Sequence, residues 1–209
     1  MVTIINEDTT WSGVMSINDV IQVAEGVTLT IAAGSNISLG SNMKLSYYVN
    51  SRLRPVVQVY GNVNIEGSED SKSTINGVNI WLYSSGREAI MNVNYTNFYD
   101  STIGSYMPNY GDGTITNSYF EGSEIREIDR SHISGNIFNN SFVNIQSQST
   151  VKNNLFYGFE GRDGQYATIR VHSGDSSTII NGNSFLNSVP AILHKFPRGT
   201  VNAQNNWFN

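Results

Sequence analysis

The chain of 209 residues contains no cysteine and only 4 prolines. The missing thiols exclude disulfides and thiolate metal sites, and they leave the compartment open, because a repeat protein with a continuous core needs no covalent staples. Charge is also scarce: Asp, Glu, Lys and Arg together make up 14% of the residues, and the formal net charge is -5. No run of Lys or Arg supplies long-range attraction for a phosphate backbone, so nucleic acid is not an expected partner. No stretch approaches the roughly 18 apolar residues of a membrane span, and Met1-Val-Thr-Ile-Ile-Asn-Glu7 lacks the basic and apolar regions of a signal peptide. Membrane insertion is therefore not expected either.

What is present is a repeat. Ile133-Ser-Gly-Asn-Ile-Phe138 returns as Val151-Lys-Asn-Asn-Leu-Phe156, with looser copies at Val93 to Phe98, Ile115 to Phe120 and Ile180 to Phe185. Phe98, Phe120, Phe138, Phe156, Phe185 and Trp207 follow at steps of 22, 18, 18, 29 and 22 residues, as stacked rungs with loops of varying length would require. Upstream, Val27-Thr-Leu-Thr-Ile31 and Asn36-Ile-Ser-Leu39 alternate apolar and polar residues between Gly26, Gly34 and Gly40, the pattern of short strands joined by tight turns. Ser16 to Glu25 fits a short helix, a capping segment or a strand. A protruding loop is expected around Asn50 to Pro55. From residue 78 onward each rung should hold three strands, with Asn117, Asn136, Asn154 and Asn183 at the bend between the second and third. Asn tolerates left-handed backbone there, and its amide can bond the equivalent residue one rung away.

The I/V-x-x-N-x-F repeat, covering roughly residues 90 to 209, resembles the right-handed parallel β-helix of the pectate-lyase-like superfamily. Thr9-Thr-Trp-Ser-Gly13 with Val23 to Gly34 is similar to the start of bacterial cell-surface members, and Asn205-Asn-Trp-Phe208 resembles their Asn-Asn-Trp-Trp-Gly ending. The resemblance implies an all-β, right-handed parallel β-helix solenoid of about eight to nine coils in a single domain over 1–209. Residues 1–25 would be a cap or first coil, 26–77 larger irregular coils and 78–209 regular coils, and the whole would be a module excised from a longer protein. It also implies an extracellular or cell-surface location, and an adhesin-like or structural role as a rigid scaffold that contacts a polysaccharide or a surface protein.

In such helices the first strand of each rung forms the usual carbohydrate groove. Alternation sends Val78, Ile80 and Leu82 inward and Asn79, Trp81 and Tyr83 outward; Asn144 and Gln146 face out between Val143 and Ile145, as do Arg170 and His172 around Val171. Either His194 or Lys195 extends this face. Trp81, Tyr83, Asn144, Gln146, Arg170, His172 and His194 are thus the expected glycan contacts, with aromatic rings for sugar faces and amides and cations for hydroxyls and carboxylates. The loop Tyr106 to Gly113, with its exposed aromatics, is an expected lip over the groove or an interface patch.

Catalysis finds less support. Glycosidase chemistry needs converging carboxylates, whereas Glu124-Ile-Arg-Glu-Ile-Asp-Arg130 interleaves its acids with arginines, the pattern of a solvated ion-pair patch. The three-residue apolar gap in that stretch suggests a bulge that turns Arg126 or Glu127 inward. The Lys-Ser and Arg-His-Gly signatures of β-helical alginate and chondroitin lyases have no counterpart, and calcium, which some lyases use, finds no ligand motif. No cofactor is expected. An enzyme reading, as a lyase, hydrolase or epimerase, would use Arg126, Asp129, Arg170 and His172. A third reading is a phage fibre or spike domain. Exposed backbone at the ends of a solenoid calls for capping, end-to-end stacking or a homotrimer.

Overall fold

The computed structural model describes residues 1–44, 56–83, 89–105, 111–161, 166–173, 176–196 and 200–209. The expected loop at Asn50 to Pro55 and the tip of the lip at 106–110 lie outside the described residues. The fold is all-β. Every strand pair is parallel, an arrangement compatible with a parallel β-helix.

The strands stack in three columns. The first runs from Val2–Ile5 through Val20–Val23, Val57–Val59, Asn79–Leu82 and Thr102–Ser105 to Phe142–Ile145, Ile169–Val171 and Ile192–His194. The second includes Thr28–Ile31, Asn62–Ile65, Ala89–Asn94, Gly111–Thr116 and Thr150–Lys152. The third runs from Val14–Ile17 through Thr96–Tyr99, Tyr119–Glu121, Ile137–Asn139, Leu155–Tyr157 and Ser184–Leu186 to Trp207–Phe208. One eleven-residue strand, Glu124–Ser134, belongs to the first column at its start and the second at its end. Ser16 to Glu25 resolves into the end of the strand Val14–Ile17 and the whole of Val20–Val23, with a bend between them. Among the described residues there is a single four-residue helical turn, Ser41–Lys44.

Alternation explains the core. Ile80 and Leu82, Val143 and Ile145, and Ile169 and Val171 are all essentially inaccessible, and they meet the inward residues of the other two columns in one continuous cluster. Along the third column Phe98, Phe120, Phe138, Phe156, Phe185 and Phe208 stack with ring centroids 4.7, 4.8, 4.6, 5.1 and 5.4 Å apart. The ladder thus ends on Phe208 and not on Trp207: register pairs Phe185 with Phe208, which sends Trp207 outward. The N-x-F spacing of Asn206 and Phe208 carries this signal in the sequence.

The amide ladder is real, with one member changed. Asn136 Oδ1 accepts from the Ser118 N–H at 2.9 Å, Asn154 Oδ1 from Asn136, Asn183 Oδ1 from Asn154 and Asn206 Oδ1 from Asn183. Ser118, not Asn117, occupies the position on its rung. Asn117 is one residue too early, where Asn117, Gly135, Asn153, Gly182 and Asn205 all hold φ between 51° and 67°. That left-handed residue turns the chain, and Gly or Asn bears it at least cost. A second ladder closes the bend from the third column to the next rung: Val78 N–H donates to Ser101 Oγ, Ser101 N–H to Ser123 Oγ and Ser123 N–H to Ser141 Oγ, each at about 3 Å.

Candidate binding face on the first column

Residues between the inward apolar side chains of the first column point away from the core, and parallel register lines them up. Gln58, Trp81, Gly104 and Arg126 are successive partners, and Asn144 is the partner of Arg170. Arg126 and Glu127 together face the single residue Asn144, because register slips between Ile125 and Ile128. This is a β-bulge. It corrects the expectation that one of the two charges turns inward: Ile125 and Ile128 both fill the core, and Glu127 absorbs the extra residue with φ 53°. At Gly104 a Cβ would run into the Arg126 carbonyl oxygen, so the row is notched between Trp81 and Arg126.

Sequence reasoning placed Trp81, Asn144 and Arg170 on one face, and the register brings them into one row. Tyr83 lies in the adjacent outward row, stacked on Tyr60 at 5.3 Å, and Gln146 and His172 lie further along it. Tyr60 was missed, although it follows Gln58 as Tyr83 follows Trp81. His194 does not join them: it is in register with Val171, in the inward row at the end of the stack, while Lys195 follows His172. The alternation of Ala191 to Lys195 is too short to fix its phase from sequence.

Facing outward does not make all of these side chains accessible. Asn144 retains 7% of its accessible surface and Gln146 only 1%. Gln146 is committed locally: its Oε1 accepts from Ser173 Oγ at 2.8 Å and its Nε2 lies 3.5 Å from His172 Nδ1. It therefore orients His172. The imidazole also stands edge-on to Phe196 at 5.1 Å, and Lys195 Nζ lies 4.9 Å above that ring. Burial holds the His172 pKa below its ordinary value of 6.5; the Glu127 carboxylate opposes this, and Lys195 and Arg170 add to it.

Asn79 is buried and its Oδ1 accepts from the Thr102 N–H at 3.1 Å. Next to it, the buried Glu124 accepts from Thr102 Oγ1 at 2.9 Å and pairs with Arg126, Nε to Oε1 2.7 Å. Among the described residues, three polar atoms on the Trp81 to Arg170 row are buried with no hydrogen-bond partner: Trp81 Nε1, Asn144 Oδ1 and Arg170 Nε. Such orphans are uncommon in folded proteins, and each costs about 1–3 kcal/mol when left unmet.

The acidic stretch disperses over all three columns. Glu124 lies in the first; Asp112 and Asp129 are register partners in the second, with Asp112 Oδ1 accepting from Arg130 Nε at 2.7 Å; Glu121 lies in the third. Asp129 is thus separated by the bulge from the row that holds Arg126 and Arg170. His132, also in the second column, has its Nε2 3.0 Å from Ser134 Oγ. Among the described residues no group of three or more His, Asp and Glu is placed to hold a metal ion. Comparison of the chain with protein-family models, with curated proteins and with solved structures found no match.

Proposed function

We propose that the chain is a right-handed parallel β-helix of pectate-lyase-like type, with nine coils, that works outside the cell as a non-catalytic scaffold whose first-column face contacts a glycan. Parallel register in three columns supports the fold, and the nine strands of the first and of the third column support the coil number. One observation carries the binding role: Trp81 Nε1, Asn144 Oδ1 and Arg170 Nε line one row with unmet hydrogen bonds. Two donors and an acceptor, spread over four rung spacings with an indole ring at one end, suit the hydroxyls, carboxylates and apolar sugar faces of an extended glycan. Binding to a panel of uronate and neutral polysaccharides should weaken in Trp81→Ala and Arg170→Ala proteins that keep the wild-type circular dichroism spectrum. Unchanged binding in both would retire the groove.

A second reading, a polysaccharide-active enzyme, draws on the bulge. A non-glycine residue, Glu127, at φ 53° directly after Arg126 and with a carboxylate that acts on a histidine that burial holds below its ordinary pKa, is the kind of strained, re-aimed geometry found beside active sites. Incubation with the same panel, followed by absorbance of unsaturated products and by reducing-end release, separates the two readings.

A further inference from the structure

The outer face of the third column carries a separate set of rings. Residues flanking the inward Phe ladder point outward in two adjacent rows. One contains Tyr99, Glu121, Asn139 and Tyr157 as successive register partners; the other runs from Tyr119 through Ile137, Leu155 and Ser184 to Trp207. Tyr119, Tyr157 and Trp207 recur on every second rung, about 9.6 Å apart along the stack at a strand spacing of ~4.8 Å, with a further sideways step of about 6.6 Å between rows. Their positions alternate between the two rows.

Tyr119 and its neighbours are held in place before any ligand arrives. Tyr119 Oη donates to Glu121 Oε2 at 2.9 Å and accepts from Asn139 Nδ2 at 3.2 Å, and the Tyr99 ring stands edge-on to Tyr119 at 6.1 Å. Burial, with smaller contributions from Glu121 and Tyr157 against one from Asn139, pushes the Tyr119 pKa up to about 12, so its proton stays in this network. The apolar neighbours remain open: Ile137 is 41% exposed and Trp207 55%. Neither row contains a Lys, Arg or His.

We propose that this third-column face is a second binding surface that takes a neutral, extended β-linked oligosaccharide. Rings at two-rung intervals match a chain whose sugar faces repeat every second unit, and each ring offers a flat apolar surface for the C–H face of a pyranose. Glu121 and Asn139, fixed between the rings, serve hydroxyl groups. Because the only charge is a carboxylate, uronate polymers are repelled here, in contrast to the arginine-bearing first column. This face binds whether or not the first column binds anything.

Calorimetric titration with soluble cello- and chito-oligosaccharides, and with oligouronates as controls, tests it. A neutral oligomer should bind more tightly as its length grows to span Tyr119 to Trp207. Tyr157→Ala and Trp207→Ala should each weaken it by about tenfold, equivalent to ~1.4 kcal/mol, in a Trp81→Ala background as well as in the wild type. Glu121→Gln serves as a variant that keeps the side-chain shape, and it should also weaken binding. No binding at millimolar concentration overturns the proposal, as does preference for oligouronates, or loss of binding in Trp81→Ala with full binding in the Tyr157 and Trp207 variants.

Discussion

Glu127 holds a backbone conformation that costs a side-chain-bearing residue about 1 kcal/mol or more, and its carboxylate is the one group that raises the His172 pKa. The two effects can be separated in one variant. Glu127→Gly should gain about 1 kcal/mol in urea denaturation through relief of the left-handed strain, and should lower the His172 pKa further when its ring protons are followed by NMR. A stability gain without a change at His172 would mean that the carboxylate points elsewhere. The pH dependence follows in sign: burial depresses the folded-state pKa of His172, so its contribution to stability is complete above the ordinary value of 6.5 and is lost as pH falls through the depressed one. At this scale the sequence was least informative. Alternation showed that Asn144 and Gln146 face outward, but not that neighbours bury them, because burial depends on loops and adjacent rungs that spacing does not encode.

Between strands, two kinds of ladder hold the coils together, and they were not equally legible. The Phe column and most of the Asn column follow from the I/V-x-x-N-x-F spacing, because each side chain repeats its surroundings one rung on. The Ser101, Ser123 and Ser141 ladder escaped notice although each serine stands three residues after a ladder Phe; Phe159 breaks the pattern on the following rung, and serine in a loop carries little positional information on its own. The bulge in Glu124–Ser134 was visible only as an apolar gap, whose resolution needed the register of the neighbouring strands. The ladders make a quantitative prediction. Phe138→Ala should cost about 3–5 kcal/mol through the lost ring and the cavity it leaves. Asn154→Ala should cost about 1–3 kcal/mol for each group stripped of its partner, here the Asn136 N–H and the Ile133 carbonyl. Chemical denaturation midpoints would check both, and an Asn154→Ala protein as stable as wild type would show that water replaces the amide.

Across the whole molecule, each rung touches only those beside it, so stability should vary along the stack as in other repeat proteins. Hydrogen exchange should be slowest in strands such as Ile137–Asn139 and Phe142–Ile145, which are paired on both sides, and fastest in Val2–Ile5, Ile192–His194 and Trp207–Phe208, which are paired on one side only. Uniform protection from one end to the other would indicate that something covers the terminal strands.

The strand that crosses from the first column to the second has a mechanical consequence. Interstrand hydrogen bonds here run along the stacking direction, so tension applied to the two ends loads them in series and should peel coils away singly. Glu124–Ser134 resists that process, since freeing its rung means breaking two sheets at the same moment. Pulling experiments should therefore register a tougher step midway through unravelling, a rivet set near the waist of the rod.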